Sequence, residues 1–197
     1  MSTRIDIKSE SSPIGMQLFK TGQTTSYATG DDGATQRGRG VDFLTLSAKN
    51  PFGNTNRFTN KTGGTTYPTN KVTYDWSTFD GKNVLAYYFG DMTTTRAWAT
   101  QLTQYTSSTF DGLTGWNLVN FQEMNNILNS SLWNNYMLNY APFNTSQRYF
   151  WISTNPSGAA GVATDLAATG IYISIGKTSA LYGIWCRVCT VTGTTIS

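Results

Sequence analysis

Four alternating runs fill the last fifty residues and constrain the fold more than any other feature of the sequence. They are YFWIST (149–154), GVATDL (161–166), GIYISIG (170–176) and YGIWCRVCTV (182–191). Each run has the period of two that places successive side chains on opposite faces of a strand, and turns containing Gly or Pro join the runs. The C-terminal part of the chain is therefore predicted to form a small antiparallel sheet.

Two helices are predicted ahead of these strands. In RAWATQLTQY (96–105), the side chains of Trp98, Leu102 and Tyr105 fall on one helical face, and residues 93–95 offer a cap. A second helix is predicted at about 121–132. Helices followed by a sheet indicate an α+β domain.

The second helix begins with a capping box. Asn120 is placed to accept from a free N–H of the first turn, and Glu123 is placed to reach back to the N–H of Asn120. Apolar residues then recur at helical spacing, which predicts one buried face. That face is predicted to hold Phe121, Met124, Ile127, Leu128 and Leu132.

The first part of the chain is rich in turn residues and contains one clear hairpin. KVTYDWSTFDGKNVLAYYFG (71–90) alternates around Val72, Tyr74 and Trp76, and it is predicted to turn at Asp80–Gly81. Residues 21–75 are rich in Gly, Thr and Asn, which favours loops and short hairpins.

The N-terminal segment lacks a helical period and is predicted to be an extended arm. We expect residues 1–20 to dock the protein to a neighbouring molecule through Ile5, Ile7 and Ile14. Residues 21–197 are predicted to form a single domain, because a chain of this length suits one hydrophobic core.

Charge and composition exclude several classes of function. Charged residues make up only 13% of the chain, and its 14 Lys and Arg residues form no cluster, so we expect no nucleic-acid partner. No apolar run approaches the roughly 20 residues of a membrane helix, and the first 15 residues lack the apolar core of a secretion signal. We therefore expect no membrane insertion and no export by the usual route.

The chain contains no histidine. Histidine is the commonest general base and the commonest transition-metal ligand, so its absence argues against most hydrolases. No serine or cysteine has an identifiable base, and the spacing of the aspartates does not indicate a catalytic pair. We expect no catalytic residue, no enzymatic activity and no cofactor.

Two further groups of residues have the composition of metal or redox sites. Cys186 and Cys189 form a CxxC, but residues three apart on a strand are about 10 Å apart and face opposite ways, whereas a disulfide needs less than about 7 Å. We therefore expect two unpaired structural thiols.

Asp31 and Asp32, with Asp42 nearby, have oxygen ligands that calcium prefers, but they lack the spacing of a complete calcium loop. We interpret them as a polar turn and predict no metal ligand.

One stretch resembles a known family. GLTGWNLVNFQEMNNIL (112–128) is similar to the helix-entry motif of the Lcl C-terminal-like domain family, which has a C-type-lectin-like fold. TGQTTSY (21–27), RAWA (96–99), and YFWISTNPSGAAGVATDLAATG (149–170) followed by YGIWCRVC (182–189) resemble further pieces in the family's order. Gly112, Trp116, Leu118 and Glu123 match the family pattern, whereas Asn117, Val119, Met124 and Cys189 stand where Arg, Pro, Leu and Arg are usual.

The resemblance implies the architecture of the whole chain. It implies an α+β, C-type-lectin-like fold, with two helices packed on small antiparallel sheets, long loops and an extended N-terminal arm. Residues 28–90 would form a loop- and hairpin-rich insertion, because 43–59 and 72–88 resemble the elaborated domain of bacteriophage tail and virion proteins. Members of this family display loops that bind glycans or proteins, or they build surfaces, and the resemblance does not imply a catalyst.

An asparagine-rich stretch with aromatic residues is the predicted contact surface. Aromatic rings flanked by amides provide flat apolar area together with hydrogen-bond donors and acceptors, as in adaptable recognition surfaces. The alternative is that these side chains pack between subunits. The residues are Trp133, Asn134, Asn135, Tyr136 and Tyr140, with Arg148 as a further ligand- or partner-binding residue. Trp76, Trp98, Trp116 and Trp151 are instead predicted to belong to the core.

These expectations combine into one predicted function. The sequence predicts a bacteriophage virion structural protein, a tail, fibre or surface-exposed component that binds a receptor or decorates the particle. Its expected partners are other copies of itself, with a trimer as the first guess, other virion proteins, and a host-surface glycan or protein. The alternatives are a bacterial surface adhesin or lectin and a metal-dependent sugar binder.

Overall fold

The protein is a mixed α+β structure. The computed structural model describes residues 26, 28–29, 34, 43–67, 71–90, 92, 94–128, 142–143, 147, 149–154, 160–165 and 171–197. Within these ranges, two helices accompany mostly antiparallel sheets, as expected for the predicted α+β class. The predicted arm residues Ile5, Ile7 and Ile14 lie outside the described residues.

The described elements follow one another in a strand-rich order. They are β1 (Phe58–Thr59), β2 (Val72–Asp75), β3 (Asn83–Tyr88), α1 (Trp98–Thr103), β4 (Asn117–Leu118), α2 (Phe121–Ile127), β5 (Tyr149–Trp151), β6 (Ala160–Asp165), β7 (Ile171–Gly176), β8 (Trp185–Thr192) and β9 (Thr195–Ile196).

The strands form two sheets. The larger sheet has the order β1-β2-β3-β8-β4, and β9 pairs with β8. The smaller sheet has the order β5-β6-β7 and is antiparallel throughout. The four C-terminal runs of the sequence are therefore strands as predicted, but the last of them, β8, leaves its neighbours and pairs with β3 and β4. Strand β8 thus joins the end of the chain to its middle.

The predicted hairpin of residues 71–90 is confirmed. Strands β2 and β3 pair antiparallel, with Val72 opposite Tyr88 and Asp75 opposite Leu85. The carboxylate of Asp80 accepts hydrogen bonds from the N–H groups of Lys82 (2.8 Å) and Asn83 (2.6 Å), and Gly81 follows at φ +95°. Since only glycine reaches this conformation at low cost, Asp80–Gly81 fixes the turn.

The larger sheet has an apolar cluster on each face. Along β8, Cys186 belongs to the first cluster, whereas Trp185 and Cys189 belong to the second. Helix α2 adds Met124 and Ile127 to the first cluster. Helix α1 packs partly buried side chains, including those of Trp98 and Leu102, against the second. The sheet is therefore covered by a helix on each side, because its central strands are apolar on both faces.

Tryptophan side chains contribute both buried rings and N–H hydrogen bonds to these layers. Trp116, Trp151 and Trp185 are fully buried and Trp76 is 2% exposed, whereas Trp98 is half-buried. Each of the five ring N–H groups donates a hydrogen bond of 2.7 to 3.1 Å, so that no buried donor among them is left unpaired. Their acceptors are Thr59 Oγ1 for Trp76, and the carbonyl oxygens of Ile152, Leu113, Arg96 and Gln101 for Trp98, Trp116, Trp151 and Trp185.

Helix α2 has the predicted start but an earlier end. Asn120 Oδ1 accepts from the N–H of Glu123 (2.9 Å), and Glu123 Oε2 accepts from the N–H of Asn120 (2.7 Å), which confirms the capping box. The prediction that the helix continues to residue 132 is wrong, because Leu128 is already extended at ψ 124° and closes the last turn with a hydrogen bond to Met124 O. Phe121 is also not on the buried face, since it is 41% exposed.

The predicted cap of helix α1 is also wrong. The N-cap is Ala97, whose side chain makes no hydrogen bond, and not one of residues 93–95. The N–H of Trp98 donates instead to the carbonyl of Lys177 (3.0 Å). A carbonyl that is distant in sequence therefore accepts a hydrogen bond from one of the free N–H groups at the start of this helix. No local sequence pattern predicts this contact.

A buried ion pair fixes β1, β2 and α2 relative to one another. Arg57 and Asp75 are both fully buried, and Arg57 donates from Nε to Oδ1 (2.8 Å) and from Nη2 to Oδ2 (2.7 Å). The same Nη2 donates to the carbonyl of Asn126 in α2. The guanidinium carbon lies over the rings of both Phe43 and Phe58, 4.1 and 4.6 Å from their centroids. Such pairing on every side is what allows two charges to be buried.

Removing one partner of this pair should destabilise the protein strongly. We expect Arg57→Met and Asp75→Asn each to lower the free energy of unfolding by roughly 3–5 kcal/mol, because the remaining group is buried without its counter-charge. Chemical denaturation measures the loss. The double variant Arg57→Met/Asp75→Asn should lose less than the sum of the two single variants. Strictly additive losses would show that the two charges do not depend on each other.

Candidate functional site

Asparagine side chains organise the loop between residues 50 and 56. Asn50 Oδ1 accepts from the N–H of Phe52 (3.0 Å), while Asn50 Nδ2 donates to Asn54 Oδ1 (2.8 Å). Asn54 Nδ2 then donates to the carbonyl of Gly63 (3.1 Å). These amides connect two successive turns, so the loop is held by side-chain hydrogen bonds of its own.

Asn60 closes the second turn in the same way. Its Oδ1 accepts from the N–H of Thr62 (2.9 Å), the hydroxyl of Thr62 (2.9 Å) and the N–H of Gly64 (3.0 Å). Its Nδ2 donates to the carbonyl of Thr66 (2.7 Å). One side chain thus replaces several backbone contacts, which is why asparagine is favoured in turns.

A surface cavity adjoins this loop, and we call it the lysine pocket. Its volume is about 190 Å³. It lies between the Asn60 turn, the start of β2 and the turn at Asp111. The lining residues are Asn60, Lys61, Thr62, Tyr67, Lys71, Val72 and Asp111.

Two ammonium groups define the charge of the lysine pocket. Lys61 Nζ donates to the carbonyl of Asp111 (2.8 Å), and Lys71 Nζ donates to the carbonyl of Gly90 (3.5 Å). Within the described ranges, neither ammonium has a carboxylate at ion-pair distance. An ammonium group has three donors, so each lysine has donors in excess of the one described bond. The pocket is therefore suited to an anionic group.

Asp111 contributes the acidic group of the pocket and is held from below. The hydroxyl of Tyr74 donates a hydrogen bond to Asp111 Oδ2 (2.8 Å). The pKa of Tyr74 is raised well above its usual value, mainly by burial and also by the neighbouring Asp111 carboxylate.

The turn that carries Asp111 has a regular geometry. Asp111 and Gly112 have φ values of 55° and 76°, and Phe110 and Leu113 exchange backbone hydrogen bonds across them. This is the geometry of a type I′ turn, for which Asp-Gly is a preferred pair.

Lys71 has a backbone conformation that its residue type does not favour. Its φ is 45°, in the left-handed region, which costs a residue with a side chain roughly 1–2 kcal/mol. The N–H of Phe89 donates to its carbonyl (3.0 Å), which ties this strained residue to the end of β3. Strained residues are concentrated at functional sites in proteins. The conformation of Lys71 therefore supports the lysine pocket as a candidate site.

Tyr67 provides the aromatic wall of the lysine pocket. Its ring is half-buried and packs edge-on against Phe89, with centroids 5.9 Å apart. Burial raises the pKa of Tyr67 to about 12, so that its hydroxyl remains protonated at neutral pH. The ring adds apolar area beside the two ammonium groups.

A second depression lies on the larger sheet and offers less chemistry. Its volume is about 280 Å³, and its apolar side chains include Leu85 and its cross-strand neighbour Val188, which is 61% exposed. The hydroxyls of Ser77 and Thr78 at its edge already donate to Asp75. It therefore presents apolar area with few free polar groups, and the lysine pocket is the better candidate.

Three of the aspartates in the described ranges have separate partners. Asp75 pairs with Arg57, Asp80 accepts from Asn83 in its turn, and Asp111 accepts from Tyr74. Among the described residues, no three side chains of His, Cys, Asp or Glu come together as a metal site. No helix in the described part of the chain is long and apolar enough to cross a membrane.

The predicted contact residues lie outside the described residues, so the structure does not test them. This applies to Trp133, Asn134, Asn135, Tyr136, Tyr140 and Arg148, and to the polar turn at Asp31 and Asp32.

The residues of the lysine pocket were not predicted from the sequence. The loop was recognised from its turn residues, but its two lysines are isolated in sequence from Asp111. The sequence feature that could have indicated this pocket is the pair of lysines, Lys61 and Lys71, on either side of a Gly- and Thr-rich loop directly before a strand.

The two cysteines are free and buried, as predicted. They belong to the two opposite apolar clusters. Burial, followed by the neighbouring Glu123, raises the pKa of Cys186 well above its usual value. Burial raises the pKa of Cys189 to about 11. Both groups are therefore thiols at neutral pH, and the CxxC has no redox or metal-binding geometry.

Comparisons with known proteins give no identification. No family model matches the sequence, and no curated protein matches it.

Both thiols should resist alkylation in the folded protein. At pH 8 the pH lies below both raised pKa values, so the reactive thiolate is scarce and also buried. We expect iodoacetamide to leave Cys186 and Cys189 unmodified in buffer and to modify both in denaturant, as measured by intact-mass spectrometry. Rapid modification of either thiol without unfolding would contradict the buried positions.

The loop should depend on glycine at residue 63 more than at residue 53. Both glycines have positive φ, but only at Gly63 would a Cβ meet another side chain, lying 2.8 Å or less from three atoms of Phe52. Gly53→Ala should cost about 1 kcal/mol of unfolding free energy for the backbone conformation alone. Gly63→Ala should cost about 1–3 kcal/mol more, because Phe52 must move. Equal losses in chemical denaturation would show that Phe52 yields freely.

Proposed function

We propose that this protein is a structural component of a bacteriophage virion, a tail, fibre or surface protein that displays loops for recognition of a host-surface glycan or protein. The observation that supports this most directly is the asparagine-held loop of residues 50–66, which borders the lysine pocket. A loop that is already ordered loses less conformational entropy when it binds a ligand.

The core is consistent with a rigid support for such loops. The larger sheet has an apolar cluster on each face, and the second cluster contains four tryptophans that are at most 2% exposed, Trp76, Trp116, Trp151 and Trp185. The buried Arg57–Asp75 pair joins the residues that precede the loop to the sheet beneath it, since Arg57 also donates to the carbonyl of Phe43. Binding residues on loops held by a rigid scaffold are a common arrangement in recognition proteins.

We further propose the C-type-lectin-like fold and membership of the Lcl C-terminal-like domain family. Support comes from Trp116 and Leu118, which are buried at the entry to α2, and from Glu123, which completes the capping box of that helix. These are three of the four residues that match the family's helix-entry motif. In this proposal the protein acts by binding and not by catalysis, and it assembles with copies of itself, as a trimer, and with other virion proteins.

The proposed function predicts that this chain is part of purified phage particles. Negative-stain imaging of virions from the encoding phage, labelled with an antibody against this chain, should show label at one defined position on each particle. Peptides of the chain should also occur in the mass spectrum of density-purified particles. Particles from a related phage that lacks the gene provide the control. A chain found in lysed cells but in no particle would refute the proposal.

A further inference from the structure

The smaller sheet ends at strand β7. This strand pairs with β6 from Ile171, opposite Asp165, to Gly176, opposite Ala160. Within the described ranges, the other side of β7 pairs with no strand. A strand at the edge of a sheet presents a row of backbone N–H and C=O groups to its surroundings. Strand β7 is therefore a template to which a further strand can be added.

The hydrogen bonds of the sheet determine which groups of β7 point outward. The N–H of Ile152 donates to the carbonyl of Val162 (3.1 Å), so Val162 bonds toward β5. Backbone groups alternate in direction along an antiparallel strand, so the next residue, Ala163, bonds toward β7. Its partner in β7 bonds back to it, and the residues on either side of that partner, Tyr172 and Ser174, direct their N–H and C=O groups away from the sheet.

Strand β7 lacks the devices that keep sheet edges apart. Proteins protect such edges with charged side chains, proline, bulges or very short strands. IYISIG (171–176) has six residues, no charge and no proline, and its pairing with β6 runs without a bulge. The neighbouring residues 166–170 are uncharged as well. The composition of this edge therefore favours pairing with another strand.

Helix α2 and the second apolar cluster hold this edge in place. The hydroxyl of Tyr172 donates to the carbonyl of Phe121 (3.2 Å) and to Asn125 Oδ1 (2.8 Å). The rings of Tyr172 and Phe121 lie with their centroids 4.2 Å apart. On the opposite face of β7, Ile173 and Ile175 pack against the second cluster. The edge is thus preformed, which lowers the entropy that a partner must overcome on binding.

A second copy of β7 complements this edge when the two strands pair antiparallel about a twofold axis at Ile173. In this register, Tyr172 of each copy lies opposite Ser174 of the other, and each such pair exchanges both N–H···O bonds. The outward groups of both residues are then all used. A register shifted toward the end of the strand would need the carbonyl of Gly176, which already accepts from the N–H of Ser179 (2.9 Å).

We propose that β7 is the docking surface for a second copy of this chain, paired antiparallel across a twofold axis at Ile173. The two three-stranded sheets then form one continuous sheet. Such a contact uses the same surface on both copies, and the uncharged strand brings no like charges together. The contact goes beyond the proposed function. It doubles the number of copies in an assembly, so it would join two of the proposed trimers rather than build one.

The first test compares the mass of the purified full-length chain with that of an edge variant. Ser174→Pro removes an outward N–H and spares the pairing with β6, since edge strands tolerate proline where the N–H faces solvent. Ser174→Ala keeps the N–H and is the matched control. In sedimentation equilibrium, Ser174→Pro should raise the dissociation constant about tenfold or more and halve the number of copies, whereas Ser174→Ala should match the unmodified chain. Equal masses of the unmodified chain and Ser174→Pro would overturn the proposal.

Engineered cysteines locate the twofold axis. Ile173→Cys places two thiols at a non-hydrogen-bonded pair, with Cα atoms about 4.5 Å apart, which suits a disulfide. Ile175→Cys changes the same face of the same strand, but in this register its two copies lie roughly 13 Å apart along the strands. Oxidation should link Ile173→Cys into dimers on a non-reducing gel and leave Ile175→Cys unlinked. Linkage of Ile175→Cys alone would refute the register.

A charge-complementation test applies even if Ser174→Pro fails to fold, which near-ultraviolet circular dichroism would show. The side chain of Ser174 is exposed, so Ser174→Lys and Ser174→Glu leave the core intact. The two copies of residue 174 are diagonal neighbours in the proposed register, roughly 7–8 Å apart. Each variant alone should associate more weakly than the unmodified chain, and an equimolar mixture should regain the association.

The remaining outcomes also decide the proposal. A mixture of Ser174→Lys and Ser174→Glu that associates no better than either variant alone would overturn it. An unmodified chain that stays monomeric at every concentration would do the same. These measurements use the isolated chain, whereas the proposed function is decided by the presence of the chain in virions, so either can fail while the other stands.

Discussion

The contact between Arg57 and Asp75 governs the arrangement of the elements around it. Both side chains are fully buried, so neither charge is tolerable unless the other is in place. The guanidinium also binds the carbonyl groups of Phe43 and Asn126, which lie before β1 and in α2. A single side chain therefore connects the backbone at Phe43, the larger sheet and the second helix. This specificity depends on geometry, because a lysine could not make the same fork of bonds.

Strand β8 extends this organisation to the end of the chain. It pairs with β3 and β4, and its alternate side chains enter two different apolar clusters. The larger sheet therefore separates two apolar clusters, and one helix packs against each of them. Tyr74 connects the lysine pocket to this sheet. Its ring belongs to the second cluster, and its hydroxyl donates a hydrogen bond to Asp111. Packing and site geometry are thus connected through one residue.

The sequence predicted what depends on neighbouring residues and missed what depends on distant ones. The alternation of β5 to β8, the Asp80–Gly81 turn and the Asn120–Glu123 capping box are local patterns, and the structure confirms them. The start of α1 was missed because Lys177 supplies its hydrogen bond, and the lysine pocket was missed because Asp111 is fifty positions from Lys61. The end of α2 was misplaced because apolar residues continue past Ile127 at helical spacing although the backbone has become extended.

The asparagine side chains of the loop have a consequence for its environment. A carboxamide neither gains nor loses a proton in ordinary aqueous media, and it requires no bound ion and no oxidised sulfur to keep its hydrogen bonds. Acidity, chelators and reductants would therefore leave the bonds of Asn50, Asn54 and Asn60 intact. The hydrogen-bond pattern of this loop therefore does not depend on the protonation state of the asparagine side chains that make it.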